Sequence, residues 1–268
     1  MRCTGHRIFF RSFIFFNAIR SVISCCITVH RSVMKFFPIP GTKPRVYIAT
    51  SLAILFHTVG LAGIIRGNTA LFTRLTSMNM MVMLLLLLWT QPSRNRSFYL
   101  FMGIVMVAGF LSEYTGVHTG WLFGEYSYGA ALGISYDGIP LIIGVNWFIV
   151  IYCCGVTMVS VVSRMAKNVP EDQRAVYAGW GRASVIVDGA LLATFFDWIM
   201  EPVAIRLGYW QWAPSAAVPV FNYLSWFIVS VALLFVFSAC PFNKSNRFAI
   251  HLLLIQIMFF LLLRTILP

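Results

Sequence analysis

Acidic residues are scarce in this chain: of 268 residues only eight are Asp or Glu, and none precedes Glu113. Charged residues of either sign make up 10% and hydrophobic ones 59%. Soluble globular domains average about 25% charged residues, so a soluble domain is excluded and one polytopic, all-α membrane bundle is predicted. Histidine is almost as rare. Beyond residue 33 there are only His57, His118 and His251, on three different elements, with no HxxxH or HxxE spacing. A di-iron centre built from histidine boxes is therefore excluded, no metal site is predicted, and His57 reads as a hydrogen-bonded core residue. None of the six cysteines forms a CxxC, and Cys153 and Cys154 fall mid-span as small apolar filler. No dinucleotide fingerprint, P-loop or GxSxG elbow occurs.

What is present is apolar sequence in lengths that cross a bilayer, about 20 residues each. Seven spans are predicted, at 46–65, 75–90, 98–117, 139–162, 184–205, 219–238 and 248–267, with Pro92, Pro140, Pro170, Pro219 and Pro241 at or near their ends. The seventh has no Lys, which sets aside a retinal protein holding its pigment there. The net charge of +12 resides in Lys and Arg between the spans, so it marks topology, and no nucleic-acid partner is expected. Lys35, Lys43, Arg45, Arg94, Arg96, Arg164, Lys167, Arg174, Arg182, Lys244 and Arg247 fall on one side; Arg66, Arg74, Arg206 and Arg264 fall on the other. That asymmetry predicts a multi-pass protein of the cell membrane with Met34 cytoplasmic and the C-terminus outside. Residues 1–33, with five Arg and no acid, make a poor span. They read as an extension upstream of a natural start at Met34, leaving 34–268 as the single membrane domain.

Half of the few acids stand where lipid should be. Glu113 lies late in the third span, and Asp188, Asp197 and Glu201 lie in the fifth. Glu125 and Asp137 lie in a Gly- and aromatic-rich connection, "HTGWLFGEYSYGAALGISYDG". A carboxylate at a helix centre costs about 2.5–3.5 kcal/mol, so such residues mark function and face the bundle interior. Asp197 and Glu201 are four apart, hence on one helix face. Two carboxyls that close and away from water do not both ionise readily, so one holds its proton, the arrangement of an acid and a base. Pro202 leaves the Trp198 carbonyl without its helix donor, a further acceptor near the pair. Asp188, on the opposite face, is expected to pair with Arg182. Glu113 reads equally as a site residue or as half of an ion pair, with Arg206 the candidate partner.

Aromatic residues interleave with these acids. Trp198 lies between the two carboxyls, Trp210 and Trp212 follow them, and Tyr126, Tyr128, Tyr223 and Trp226 stand on neighbouring segments. Some anchor the protein at the membrane interface; together they could form a slot for a long isoprenoid chain and steady a carbocation. Asn222 and Asn146 could position a water or bond a neighbouring helix.

Three segments, "GWLFGEYSYGAALG", "FFDWIMEPVAIRLGYWQW" and "VPVFNYLSWF", resemble the membrane carotenoid-biosynthesis family of the bisanhydrobacterioruberin hydratase and γ-carotene 1′-hydratase type, from about residue 46 onward. The resemblance implies a lyase that adds water to the terminal C1=C2 bond of a linear carotenoid, giving a tertiary alcohol without a cofactor. On this reading Asp197 and Glu201 are acid and base, with Glu113 and Glu125 as second candidates. The aromatic residues and Asn222 hold a lipid-soluble carotenoid, and other membrane enzymes of the pathway are possible partners. Two alternatives use the same buried acids: a carotenoid end-group cyclase, and a proton-coupled transporter.

Overall fold

The computed structural model describes residues 44–213 and 218–267; the expected extension at 1–33 and the start at Met34 lie outside them. The described residues form eight α-helices: α1 Pro44–Ile65, α2 Thr69–Arg74, α3 Thr76–Thr90, α4 Arg96–Thr119, α5 Ile142–Met165, α6 Arg174–Arg206, α7 Val220–Ala239 and α8 Arg247–Ile266. All but α2 and α3 are long and apolar enough to cross a membrane, six helices among the described residues. The protein is a multi-pass, all-α membrane bundle.

The second expected span, 75–90, is the short helix α3, so among the described residues six helices, not the expected seven, are long enough to cross. α3 has 15 residues, about 22 Å at 1.5 Å per residue, against roughly 30 Å of hydrocarbon. It still joins the two ends of the bundle. At one end Thr76 shares a 2.6 Å hydrogen bond with the Tyr209 hydroxyl, and Ser77 Oγ donates to the Leu132 carbonyl. At the other, the amide of Gln91, just past α3, donates to the Asn243 carbonyl over 2.7 Å. Local chemistry fixes other boundaries: Asn95 Oδ1 accepts from the Phe98 N–H to start α4, and Gly120 (φ 68°) ends it in the left-handed conformation.

α5 runs through the centre. Within its most apolar stretch 72% of the residues are buried, against 22–44% in the other long helices, and it packs on α3, α4, α6, α7 and α8. Glycine lets α4 approach it. A Cβ on Gly144 would lie 2.7 Å from the Met106 carbonyl oxygen, and one on Gly109 would lie 2.4 Å from Trp147 Cγ.

The connections at the Tyr209 end contain strands that the hydropathy did not predict. β1 (Tyr126–Tyr128) pairs antiparallel with β4 (Trp210–Trp212), and β2 (Ser135–Tyr136) with β3 (Ile139–Pro140). Asp137 and Gly138 turn the second hairpin, both with positive φ (49° and 82°), the left-handed pair that a two-residue hairpin turn requires. The fourth span therefore begins as a helix at Ile142, not at 139.

Candidate functional site

The carboxyl pair sits near the C-terminal end of α6. Asp197 is 0% exposed and Glu201 2%, on the one face that their spacing dictates. Glu113, 5% exposed, comes to the same place from the last turns of α4. Among the described residues no Arg or Lys forms an ion pair with any of the three. Polar donors hold them instead.

Those donors come largely from the β1–β4 ribbon. Side chains alternate across a strand, so Tyr126 and Tyr128 share one face of β1 while Trp210 and Trp212 share one face of β4; Ser127 and Gln211, on the other faces, are exposed. The register sets Tyr126 opposite Trp212 and Tyr128 opposite Trp210, and all four side chains reach the carboxyls. Tyr126 and Tyr128 donate to Glu113 Oε2 over 2.5 and 2.7 Å. Trp210 and Trp212 donate their indole N–H groups to Glu201 Oε1 over 2.7 and 2.6 Å. Burial, and the Glu113 carboxylate beside them, push both tyrosine phenols well above their ordinary range, so they keep their protons and remain donors.

Two helices complete the shell. On α5, Trp147 donates to Glu113 Oε1 over 2.9 Å, its ring stacked 4.1 Å from Trp226 of α7. On α7, Asn222 donates to Asp197 Oδ2 over 3.1 Å. The other oxygen, Asp197 Oδ1, is buried with no hydrogen-bond partner. Glu113, Asp197 and Glu201 line one cavity of about 30 Å³, walled by Tyr126, Tyr128, Trp210, Trp212 and Trp226 and by the polar Asn146 and Asn222. A water needs roughly 10–15 Å³ of such space, so the cavity accommodates water between three acids and a ring of aromatic faces.

Several expected residues lie elsewhere. Glu125 is exposed, and its backbone carbonyl accepts from the Ala213 N–H. Strand alternation explains this, because Glu125 precedes Tyr126 and points to the opposite face. Trp198 is 45% exposed on the outer face of α6, its ring stacked on Phe195 and covered by the Arg264 guanidinium at 4.3 Å. Tyr223 is half-buried and does not line the cavity. The carbonyl freed by Pro202 is not a free acceptor for the pair: Arg264 donates to Trp198 O over 3.2 Å. Arg206 donates to the Leu267 carbonyl, not to Glu113, and Asp188 accepts from Ser184 instead of meeting Arg182. Trp147, Phe123, Ile143 and Met200 join the site without having been expected there. The only sequence signal for Trp147 was its place beside Asn146 in the fourth span.

A family model of carotenoid biosynthesis proteins matches residues 69–267, from the start of α2 to the end of α8, and includes every residue lining the cavity. The chain belongs to the carotenoid biosynthesis protein family. No curated protein and no solved structure matches it.

Proposed function

We propose that the protein is a carotenoid hydratase, adding water across the terminal C1=C2 bond of a linear carotenoid to give a tertiary alcohol. One observation carries the reading: a wholly buried carboxyl with an unpartnered oxygen opens on a water-sized cavity, shared with two further acids and walled by aromatic rings. A carboxylic acid delivers a proton to C2, and the C1=C2 electron pair forms the new C–H bond. The positive charge develops at C1, where two methyl groups and the faces of Trp and Tyr rings stabilise it. Water attacks C1 and gives its proton to the second carboxyl. Asp197 and Glu201 act as this acid and base, and the net change is one molecule of water added. Glu113 adds a fixed negative field toward the cation, stabilisation present before the charge appears. No step needs a cofactor.

The charge asymmetry supports placing the cavity end in the outer half of the membrane with Arg164, Lys167, Arg174 and Lys244 on the cytoplasmic side. The test is heterologous expression in cells that accumulate lycopene or γ-carotene, grown without oxygen in ¹⁸O-labelled water. The expected product is a 1-hydroxy carotenoid carrying the label. An oxygen requirement, or label drawn from O₂, would refute hydration. A product of unchanged mass with a closed end group would identify a cyclase.

A further inference from the structure

The three buried acids are not equivalent, and the difference is one of hydrogen-bond donors. Glu113 accepts three: the Tyr126 and Tyr128 hydroxyls and the Trp147 indole. Glu201 accepts two, both on Oε1. Asp197 accepts one, from the Asn222 amide, and its Oδ1 has none. Indole N–H and amide N–H groups only donate at these contacts, so they stabilise an anion and offer nothing to a carboxyl O–H. A carboxylate ringed by donors favours its charged form; a wholly buried carboxyl with a single donor favours its neutral form.

We propose that Asp197 is the proton donor to the carotenoid and Glu201 the base that takes the proton from the attacking water, with Glu113, held by three donors, a positioning residue. The inference rests on the hydration reading and assigns the direction of proton flow within it. In the resting site Asp197, which lines the cavity, carries the hydrogen, while Glu201 and Glu113 are carboxylates held by five N–H and O–H groups. Protonation of C2 leaves Asp197 as carboxylate and puts the cation among three negative groups. Water adds at C1 as its proton passes to Glu201. At the end of the cycle Glu201 carries the proton and Asp197 the charge. The two stand one helical turn apart on the same face, so the proton returns across the cavity, directly or over one water, and the resting state is restored. This gives the four-residue spacing a purpose that a single acid would not have.

The assignment separates two half-reactions. Without its base, an enzyme with Asp197 intact still protonates C2; the cation then loses a proton back to Asp197 and the alkene reforms. Membranes holding Glu201→Gln, incubated with lycopene in D₂O, should therefore give almost no alcohol, a fall of about 100-fold or more, while the recovered lycopene gains deuterium at its end groups. Asp197→Asn should give neither alcohol nor deuterium uptake. Both substitutions are isosteric; equal amounts of detergent-extracted protein with the wild-type melting midpoint confirm that each variant is folded. Deuterium uptake in Asp197→Asn, or its absence from Glu201→Gln, overturns the assignment. Failure of the hydration reading itself shows separately, as wild-type membranes that form no alcohol.

Discussion

The charge on Glu113 can be measured through the tyrosines that hold it. A hydrogen bond to a charged acceptor contributes about 1.5–3 kcal/mol, and one between neutral groups about 0.5–1.5 kcal/mol. Tyr126→Phe removes only an oxygen, from a 2.5 Å contact to Glu113 Oε2 at a residue 8% exposed. In the wild-type background it should therefore cost about 1.5–3 kcal/mol of unfolding free energy. In a Glu113→Gln background the acceptor is neutral and the same substitution should cost about 0.5–1.5 kcal/mol, a coupling of roughly 1–2 kcal/mol across the cycle. Tyr128→Phe acts on the same oxygen, so the double tyrosine variant should cost less than the sum of the two. A carboxyl stripped of both hydroxyls can keep a proton instead of an unsupported charge. The measurement is unfolding in mixed micelles followed by tryptophan fluorescence, for which Trp147, stacked on Trp226, is a reporter inside the site. If Tyr126→Phe costs the same in both backgrounds, within about 0.5 kcal/mol, Glu113 carries no charge and the donor argument fails for all three acids.

Two further outcomes follow from the packing. Gly109→Ala places a methyl 2.4 Å from Trp147 Cγ, and the ring is also stacked on Trp226. Overpacking should cost about 1–3 kcal/mol and draw the Trp147 N–H away from Glu113, cutting alcohol yield per inserted protein, whereas Gly103→Ala meets nothing within 4 Å and should leave it unchanged. Glu125→Gln, on the exposed face of the ribbon, should retain wild-type yield in the labelled-water assay; a loss comparable to that of Asp197→Asn would bring Glu125 into the chemistry.

The helices were legible because hydrophobic length is a local property: the runs that predict spans are the helices observed, with ends near prolines and capping residues. The strands were not legible from hydropathy. β1 and β4 are three residues each, paired across more than 80 intervening residues, and neither has the length of apolar alternation that marks a strand. Their signal was present on a smaller scale. "YSY" and "WQW" both read aromatic–polar–aromatic, the period of two that puts both rings of each segment on one face. Read that way, the sequence already separates Tyr126 and Tyr128 from Glu125. The second run, 75–90, is the helix α3, but at 15 residues it falls short of the bilayer's hydrocarbon.

The same rule divides the site. Asp197 and Glu201 face one direction because helix geometry requires it at a spacing of four, and their burial follows from the cost of placing carboxyls in lipid. Contacts between distant segments obey no such arithmetic. Nothing local joins Trp147 to Glu113, or Asn222 to Asp197, yet these bonds decide which acid is supplied with donors and which is not. Pro202 shows the difference within a single residue. Its missing N–H frees the Trp198 carbonyl by local covalent structure alone. Whether that carbonyl serves the carboxyl pair depends on which way Trp198 faces and on what lies there. Trp198 is one position from Asp197, hence about 100° around the helix from it, and its carbonyl meets Arg264, 66 residues further on. The freed acceptor thus ties the last helix to α6 on the outer face, and Asp197 Oδ1 stays without a partner inside.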